Sequence, residues 1–321
     1  MGRLHARVYS QMPSVKVTAI YDELPENAQA VGSEYSLPVS ESVADLLEKV
    51  DAVTIAVPTV YHLNLAEQCI SRGIDCLIEK PLAKDSTEGR RIVDLARKHN
   101  VTVQVGHIER FNPAIRAMSR LQIKPRFMEV TRISPMTFRS IDVGVVLDMM
   151  IHDIDIVLWL ANSTVTHVDA VGVSVIGNVE DICNARLTFA NGCVANLTAS
   201  RLAMRVDRRL RVFCPDAYVS IDYQKRHGTV VRKSGNIDAV RQAVGRIHSG
   251  EVQDLSQLNY KDLVHIEELE SDDVEPLRAE LDSFIEAATT DAAPLVSAEA
   301  GLMAVEVAER IMKTIGPSTL G

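Results

Sequence analysis

Along Val143 to Leu160, Asp148 and His152 stand four residues apart, which places both on one face of a helix, while Leu147, Ile151, Ile154 and Leu158 form an apolar stripe. A carboxylate beside an imidazole can move a proton near neutral pH, because the unperturbed imidazole pKa is about 6.5. A second candidate is Lys80 in Ile78-Glu79-Lys80-Pro81, which closes a short apolar run. An ammonium there could stabilise a developing oxyanion or share a proton transfer. Each piece alone also has a plainer meaning: a surface i,i+4 pair, or a solvated lysine at a proline turn. Asp153 and Asp155 make the helix acidic and add weight to the solvated reading.

What positions Lys80 is an alternation of short β-branched runs and helical stretches between Val15 and Gly106, the pattern of a parallel sheet with crossover helices. The spacing predicts strands over Val15 to Tyr21, Ala52 to Val57, Asp75 to Ile78 and Val101 to Val105, with helices over Leu63 to Arg72 and Thr87 to His99. Lys80 then falls at the carboxyl edge of a doubly wound sheet, the crevice where open α/β folds bind ligands.

Beyond Arg110 the rhythm changes to longer alternating strands: Phe127 to Ile133, Val165 to Ile176, Asn184 to Phe189, Val194 to Ser200, Leu210 to Cys214 and Tyr218 to Tyr223. Asn191-Gly192 suits a tight hairpin turn, and the close succession argues for an antiparallel sheet. The helix over Val143 to Leu160 interrupts these strands, and two more, Glu275 to Thr289 and Ser297 to Thr314, close the chain. The alternation of Arg208, Arg209 and Arg211 with Val206, Leu210 and Val212 marks a solvated strand face. Gly235 to Leu255 is polar and irregular and receives no role.

A dinucleotide fold opens with a strand and Gly-x-Gly-x-x-Gly, where glycines let backbone approach a pyrophosphate at a helix N-terminus. Met1-Gly2-Arg3-Leu4-His5-Ala6 matches only the last part, with Gly2 as its third glycine. Asp22 follows an apolar run 20 residues after Gly2, where an acid binds the adenosine ribose hydroxyls and favours NAD over NADP. The first strand is therefore expected to be missing, through an upstream start or a truncation, leaving an exposed strand edge and a weakly held pyrophosphate.

Composition bounds the rest. The 321 residues suit two domains, and 46% hydrophobic with 24% charged residues is ordinary for a globular chain. A formal charge of -9 argues against nucleic acid or an anionic membrane as partner. Five cysteines form no Cys-x-x-Cys and no zinc spacing, so no metal site is expected and reduced thiols in the cytoplasm fit best. No run approaches the roughly 18 apolar residues of a membrane span.

Glu79-Lys80-Pro81 after a strand, followed by Asp148-x-x-x-His152-x-x-Asp155, resembles the Gfo/Idh/MocA oxidoreductases. The likeness extends to Ala56-Val57-Pro58-Thr59 with His62, and to Val296-Ser297-Ala298-Glu299 leading into a helix. It implies a Rossmann-like α/β domain over residues 1–107 and an α+β domain with a large open antiparallel sheet over 108–321, carrying substrate and the C-terminal helices. It further implies NAD held by Gly2, Arg3, Leu4, Asp22, Pro58, Thr59, His62, Glu79 and Lys80, and oxidation of a sugar hydroxyl to a ketone by Lys80, Asp148 and His152. His152 would be the base, with Asp148 orienting it or binding a hydroxyl, although Lys80 and His152 could divide proton transfer either way. The stretch His107, Ile108, Glu109, Arg110, Phe111, Asn112, Pro113 is similar to that of members acting at C3 of UDP-N-acetylglucosamine. With Asp148 it would bind substrate, and Arg132 and Arg139 could meet a diphosphate. Another cyclic polyol, or a non-catalytic NAD-binding regulator, are the alternatives. Association through the open sheet face into a homodimer or homotetramer is also implied.

Overall fold

The computed structural model describes residues 1–137, 142–233, 264–290 and 292–316. Strands β1 (Ala52–Ile55), β2 (Asp75–Glu79) and β3 (Val103–Gly106) form a parallel sheet in the order β1-β2-β3. Helices α1 (Gly2–Ser10), α2 (Pro25–Tyr35), α3 (Val43–Leu47), α4 (His62–Ile70) and α5 (Ser86–His99) surround it. β2 and β3 read as nearly continuous apolar runs because both of their faces are covered. α5 begins where the Asp85 carboxylate accepts from the Glu88 amide at 2.8 Å and ends at Asn100 in the left-handed region (φ 52°).

The strand expected over Val15 to Tyr21 does not form. That segment pairs only at one bridge, Ile20↔Val39, with Ile20 N donating to Pro38 O and Ser40 N donating to Ile20 O, both at 2.9 Å. A strand needs a continuous ladder on at least one side, and β1 is the outer strand of the described sheet. Side chains tie the neighbourhood together instead: Thr18 Oγ1 donates to Lys49 O, and the Tyr9 and Thr54 hydroxyls share a hydrogen bond, each at 2.9 Å.

The second sheet has eight strands: β4 (Phe127–Ile133), β5 (Val165–Val173), β6 (Ile182–Phe189), β7 (Val194–Ser200), β8 (Asp207–Phe213), β9 (Ala217–Asp222), β10 (His227–Lys233) and β11 (Val264–Glu268). The spatial order is β11-β10-β9-β8-β4-β7-β6-β5. It is mixed rather than wholly antiparallel, because β4 inserts between β7 and β8 and pairs β7 in parallel, Val130 opposite Leu197. Sequence rhythm reveals strands but not such an insertion. At the β6–β7 turn only Gly192 has positive φ (81°), while the Asn191 side chain accepts from Cys193 N at 3.0 Å.

One face of this sheet packs against α6 (Pro113–Ser119) and α7 (Ile151–Ala161), burying Met128, Val130, Leu197, Leu210 and Val212 against Met150, Ile154 and Val157. Alternating burial along β4 and β6 follows directly from the period of two. On the other face Val171, Val173, Phe213 and Ile266 stay exposed. No helix among the described residues is long and apolar enough to cross a membrane.

Helices α8 (Pro276–Thr289) and α9 (Ala298–Ile315) close the chain as the periodicity predicts. α9 serves both cores: Val305 packs beneath the parallel sheet, while Ala304, Ala308 and Ile311 join the core of the mixed sheet. Its close approach to β3 requires glycine. A Cβ at Gly301 would lie 2.7 Å from Val105 Cγ2 and 3.2 Å from Leu82 Cβ. Gly301→Ala is expected to destabilise the protein by about 1–3 kcal/mol through overpacking, seen as a lower thermal midpoint; an unchanged midpoint would show that the helix can shift freely.

Candidate active site

Lys80 leaves the carboxyl end of β2 and crosses to the second domain. Its Nζ donates to the Asp148 carbonyl at 2.6 Å and reaches Asp148 Oδ1 at 3.4 Å. Burial lowers Lys80 from the ordinary ammonium range, and the nearby Asp148 carboxylate opposes that fall. The expected single helix is not regular here. Val146–Met150 form a π-helical turn that leads into α7, so Asp148 sits on a widened turn and His152 on the first regular one.

This break changes the partnership between the two. Asp148 serves Lys80, and His152 Nδ1 is buried with no hydrogen-bond partner. His152 therefore is not oriented by Asp148. Burial, then the charges of Lys80 and Arg132, hold the His152 imidazole well below its ordinary range. His107 meets it edge-on, with ring centroids 6.1 Å apart and planes at 88°, and burial lowers His107 as well. An uncharged imidazole at neutral pH, near an ammonium, is equipped to accept a proton from a hydroxyl.

The rest of the expected substrate stretch is largely committed to the fold. Arg110 grips Asp155 through Nε (2.6 Å) and Nη2 (3.0 Å), and its guanidinium lies 4.7 Å from the Trp159 ring centre. Phe111 is buried in the core of the parallel sheet. Asn112 caps α6, accepting from Ala114 N at 3.2 Å, and its amide donates to Tyr223 O at 3.1 Å. Glu109 accepts from Arg132 at 2.9 Å, and Arg132 also makes two 2.8 Å bonds to Asp153. Arg110, Phe111 and Asn112 therefore position the junction rather than offer free groups to a ligand. Asp153 and Asp155 are buried counterions, not a solvated acidic face. Arg139 lies outside the described residues, as does the segment from Gly235 to Leu255.

On the cofactor side, Gly2 opens α1 behind Met1, which makes no side-chain cap; Leu4 N already donates to Met1 O at 2.7 Å, which leaves the Gly2 and Arg3 amides at the terminus for an anion. Leu4 is exposed and Arg3 pairs with Glu34 at 2.8 Å. Asp22 accepts from Leu24 N at 3.0 Å and borders a cleft of about 300 Å³ that Tyr21, Pro25, Val39 and Ser40 also line. Pro58 and Thr59 form the turn after β1. His62 differs from its expected place at the cofactor: the ring is fully buried, with Nε2 3.0 Å from Val57 O and Nδ1 3.0 Å from Pro81 O, so it ties the loops after β1 and β2 together. Glu79 also turns inward and accepts from His5 Nε2 at 2.8 Å.

His5, Glu79 and Glu280 bring potential ligand atoms within 4.8 Å of one another, a grouping invisible in sequence spacing. Burial, then Glu79, push the Glu280 carboxyl well above the ordinary carboxylate range. Both Glu280 carboxyl oxygens and His5 Nδ1 are buried there without a hydrogen-bond partner.

Two family models match the chain: the NAD-binding Rossmann fold of the GFO_IDH_MocA oxidoreductase family over residues 1–107, and the GFO/IDH/MocA C-terminal domain over residues 127–220. UDP-N-acetylglucosamine 3-dehydrogenase of Acidithiobacillus ferrooxidans is 38% identical over 224 residues, covering 70% of this chain and 71% of that protein. The chain belongs to the Gfo/Idh/MocA family. A structure of the A. ferrooxidans enzyme superposes with a TM-score of 0.87 over 98% of this chain and 94% of that one, at 30% identity. Levoglucosan dehydrogenase in complex with NADH and levoglucosan shares the fold, with a TM-score of 0.80 at 17% identity over 98% and 94% of the two chains. Inositol 2-dehydrogenase of Rhizobium meliloti is 26% identical over 246 residues, 70% of this chain and 73% of its own. This Gfo/Idh/MocA chain is thus an oxidoreductase with an NAD-binding domain.

Two predictions follow from the charges. Asp153→Ala would strand Arg132 beside Glu109 alone in the interior, and a loss of roughly 3–5 kcal/mol in chemical denaturation is expected. His107 and His152 bind protons more weakly folded than unfolded, so the unfolded state takes up more protons below about pH 6.5. Their contribution to stability is present above that pH and is lost as pH falls. Denaturation midpoints measured from pH 7.5 down to 5 should decline, and the His107→Gln, His152→Gln double variant should decline less.

Proposed function

We propose that this chain uses NAD to oxidise a sugar hydroxyl to a ketone, at C3 of UDP-N-acetylglucosamine. The observation that carries this reading is the convergence of Lys80 Nζ, Asp148 and the uncharged His152 at the carboxyl edge of β2. The 38% identity to the A. ferrooxidans enzyme supports the substrate.

When bound, NAD supplies a nicotinamide carbon that accepts hydride from the sugar carbon. The open α1 terminus would meet its pyrophosphate and Asp22 its ribose hydroxyls. His152 takes the hydroxyl proton on a free ring nitrogen. Lys80 donates a hydrogen bond to the same oxygen, lowering the cost of negative charge as the C=O bond forms. Asp148 fixes Lys80, and His107 walls off the far side of His152 from water. Residues 1–107 act here as the dinucleotide domain and 108–321 as the substrate domain. In the same reading the exposed Val171, Val173, Phe213 and Ile266 face a second copy of the chain in a homodimer or homotetramer. The five unpaired cysteines suit the cytoplasm.

NADH formation on mixing the protein with NAD and UDP-N-acetylglucosamine tests the reading, with myo-inositol as the competing substrate. The expected result is activity with the nucleotide sugar, reduced about 10²–10⁴-fold in His152→Ala. Activity with myo-inositol alone would move the substrate to free polyols. NAD binding without turnover of either would indicate a non-catalytic role.

A further inference from the structure

The three arginines of β8 do not share one environment. Arg209 pairs with Asp207 on its own strand, and Arg211 reaches Glu129 at 3.1 Å; both stand on the open face of the sheet. Arg208 has the parity of Leu210 and Val212, which are fully buried, and sits directly opposite Arg132 of β4. Its side chain therefore rises from the helix-covered face, contrary to the solvated position that the alternation of charges suggests. Arg208 falls in the apolar phase of the strand, which residue type alone does not reveal. Its backbone is pinned by the Tyr223 amide, which donates to Arg208 O at 3.0 Å.

Arg132 spends its fork on Asp153 and Glu109. Among the described residues Arg208 has no carboxylate within ion-pair distance, and its buried Nε has no hydrogen-bond partner. It nonetheless lies close enough to the catalytic group for its charge to act on His152. A partly desolvated guanidinium with an idle fork is costly unless an anion completes it.

We infer that Arg208 is the anion-binding group of the substrate pocket, taking the phosphate oxygens of a sugar phosphate ester while the sugar ring lies against Lys80, Asp148 and His152. This rests on the nucleotide-sugar reading and gives it a residue that selects against uncharged sugars. Arg132 is less suited to the role, because each of its three nitrogens already donates to Asp153 or Glu109 and its charge is balanced by them.

The test uses the full chain with saturating NADH and follows binding of UDP-N-acetylglucosamine and of N-acetylglucosamine by calorimetry, in wild type, Arg208→Gln and Arg208→Lys. The glutamine variant should weaken the nucleotide sugar on the order of 10- to 100-fold and leave the uncharged sugar unaffected, as expected for one charged hydrogen-bonding group. Lysine should restore part of the loss, because it keeps the charge but not the fork. Equal binding of the nucleotide sugar by wild type and Arg208→Gln overturns the inference, as does an equal loss for both sugars, which would mark a structural role. Turnover separates the two readings. Arg208-dependent binding without NADH formation sinks the proposed reaction and keeps this site; turnover with an unchanged KM in Arg208→Gln does the reverse. A wild type that neither binds nor oxidises the nucleotide sugar overturns both.

Discussion

Two buried ion pairs, Arg132–Asp153 and Arg110–Asp155, hold α7 to the sheet and to the domain junction, and the candidate site hangs from them. Both aspartates lie within three residues of His152 on the same helix, and Arg132 is near enough for its charge to act on that histidine. A charge in the interior is tolerated only with a well-placed counterion, so these contacts leave α7 little freedom to rotate or slide. His152 inherits that rigidity without making a hydrogen bond through Nδ1. Arg110 and Asn112, buried polar residues at the domain junction, are likewise fold-determining: one closes an ion pair and the other caps α6 while bonding Tyr223.

The electrostatic character of the site comes from this arrangement. Arg132 is neutralised by its carboxylates yet close enough to His152 to disfavour an imidazolium, and Lys80 acts in the same direction from the other domain. Asp148, displaced onto a π-helical turn, is drawn to Lys80. An ammonium with a carboxylate partner thus lies near an uncharged imidazole. The groups to which the proposed reaction assigns proton acceptance and oxyanion stabilisation come from two domains, and the environment of each suits that assignment.

That division works only if the domains keep their relative position. α9 contributes by packing one side chain set against each core, with Gly301 allowing it to press onto β3. The contact of Lys80 with Asp148 then spans a junction that is packed from behind. A chain boundary drawn at residue 107 divides the sequence but not this packing, since the last helix belongs to both halves.

Much of this was legible in sequence because periodicity is local. The period of two along β4 and β6, the apolar stretch of β2 and the two closing helices all follow from neighbours in the chain. Glu79-Lys80-Pro81 and the Asp148–His152 spacing also named residues that the fold brings together, Lys80 against Asp148 with His152 one turn on. What required the tertiary structure were partners distant in sequence. Val15 to Tyr21 has strand composition but too few backbone partners; β4 inserts between β7 and β8; His62 and Glu79 turn inward to acceptors and donors from other segments. Asp153, Asp155 and Arg208 look like surface charges because a charge pattern reports residue type and phase, while burial depends on which remote side chain lies opposite.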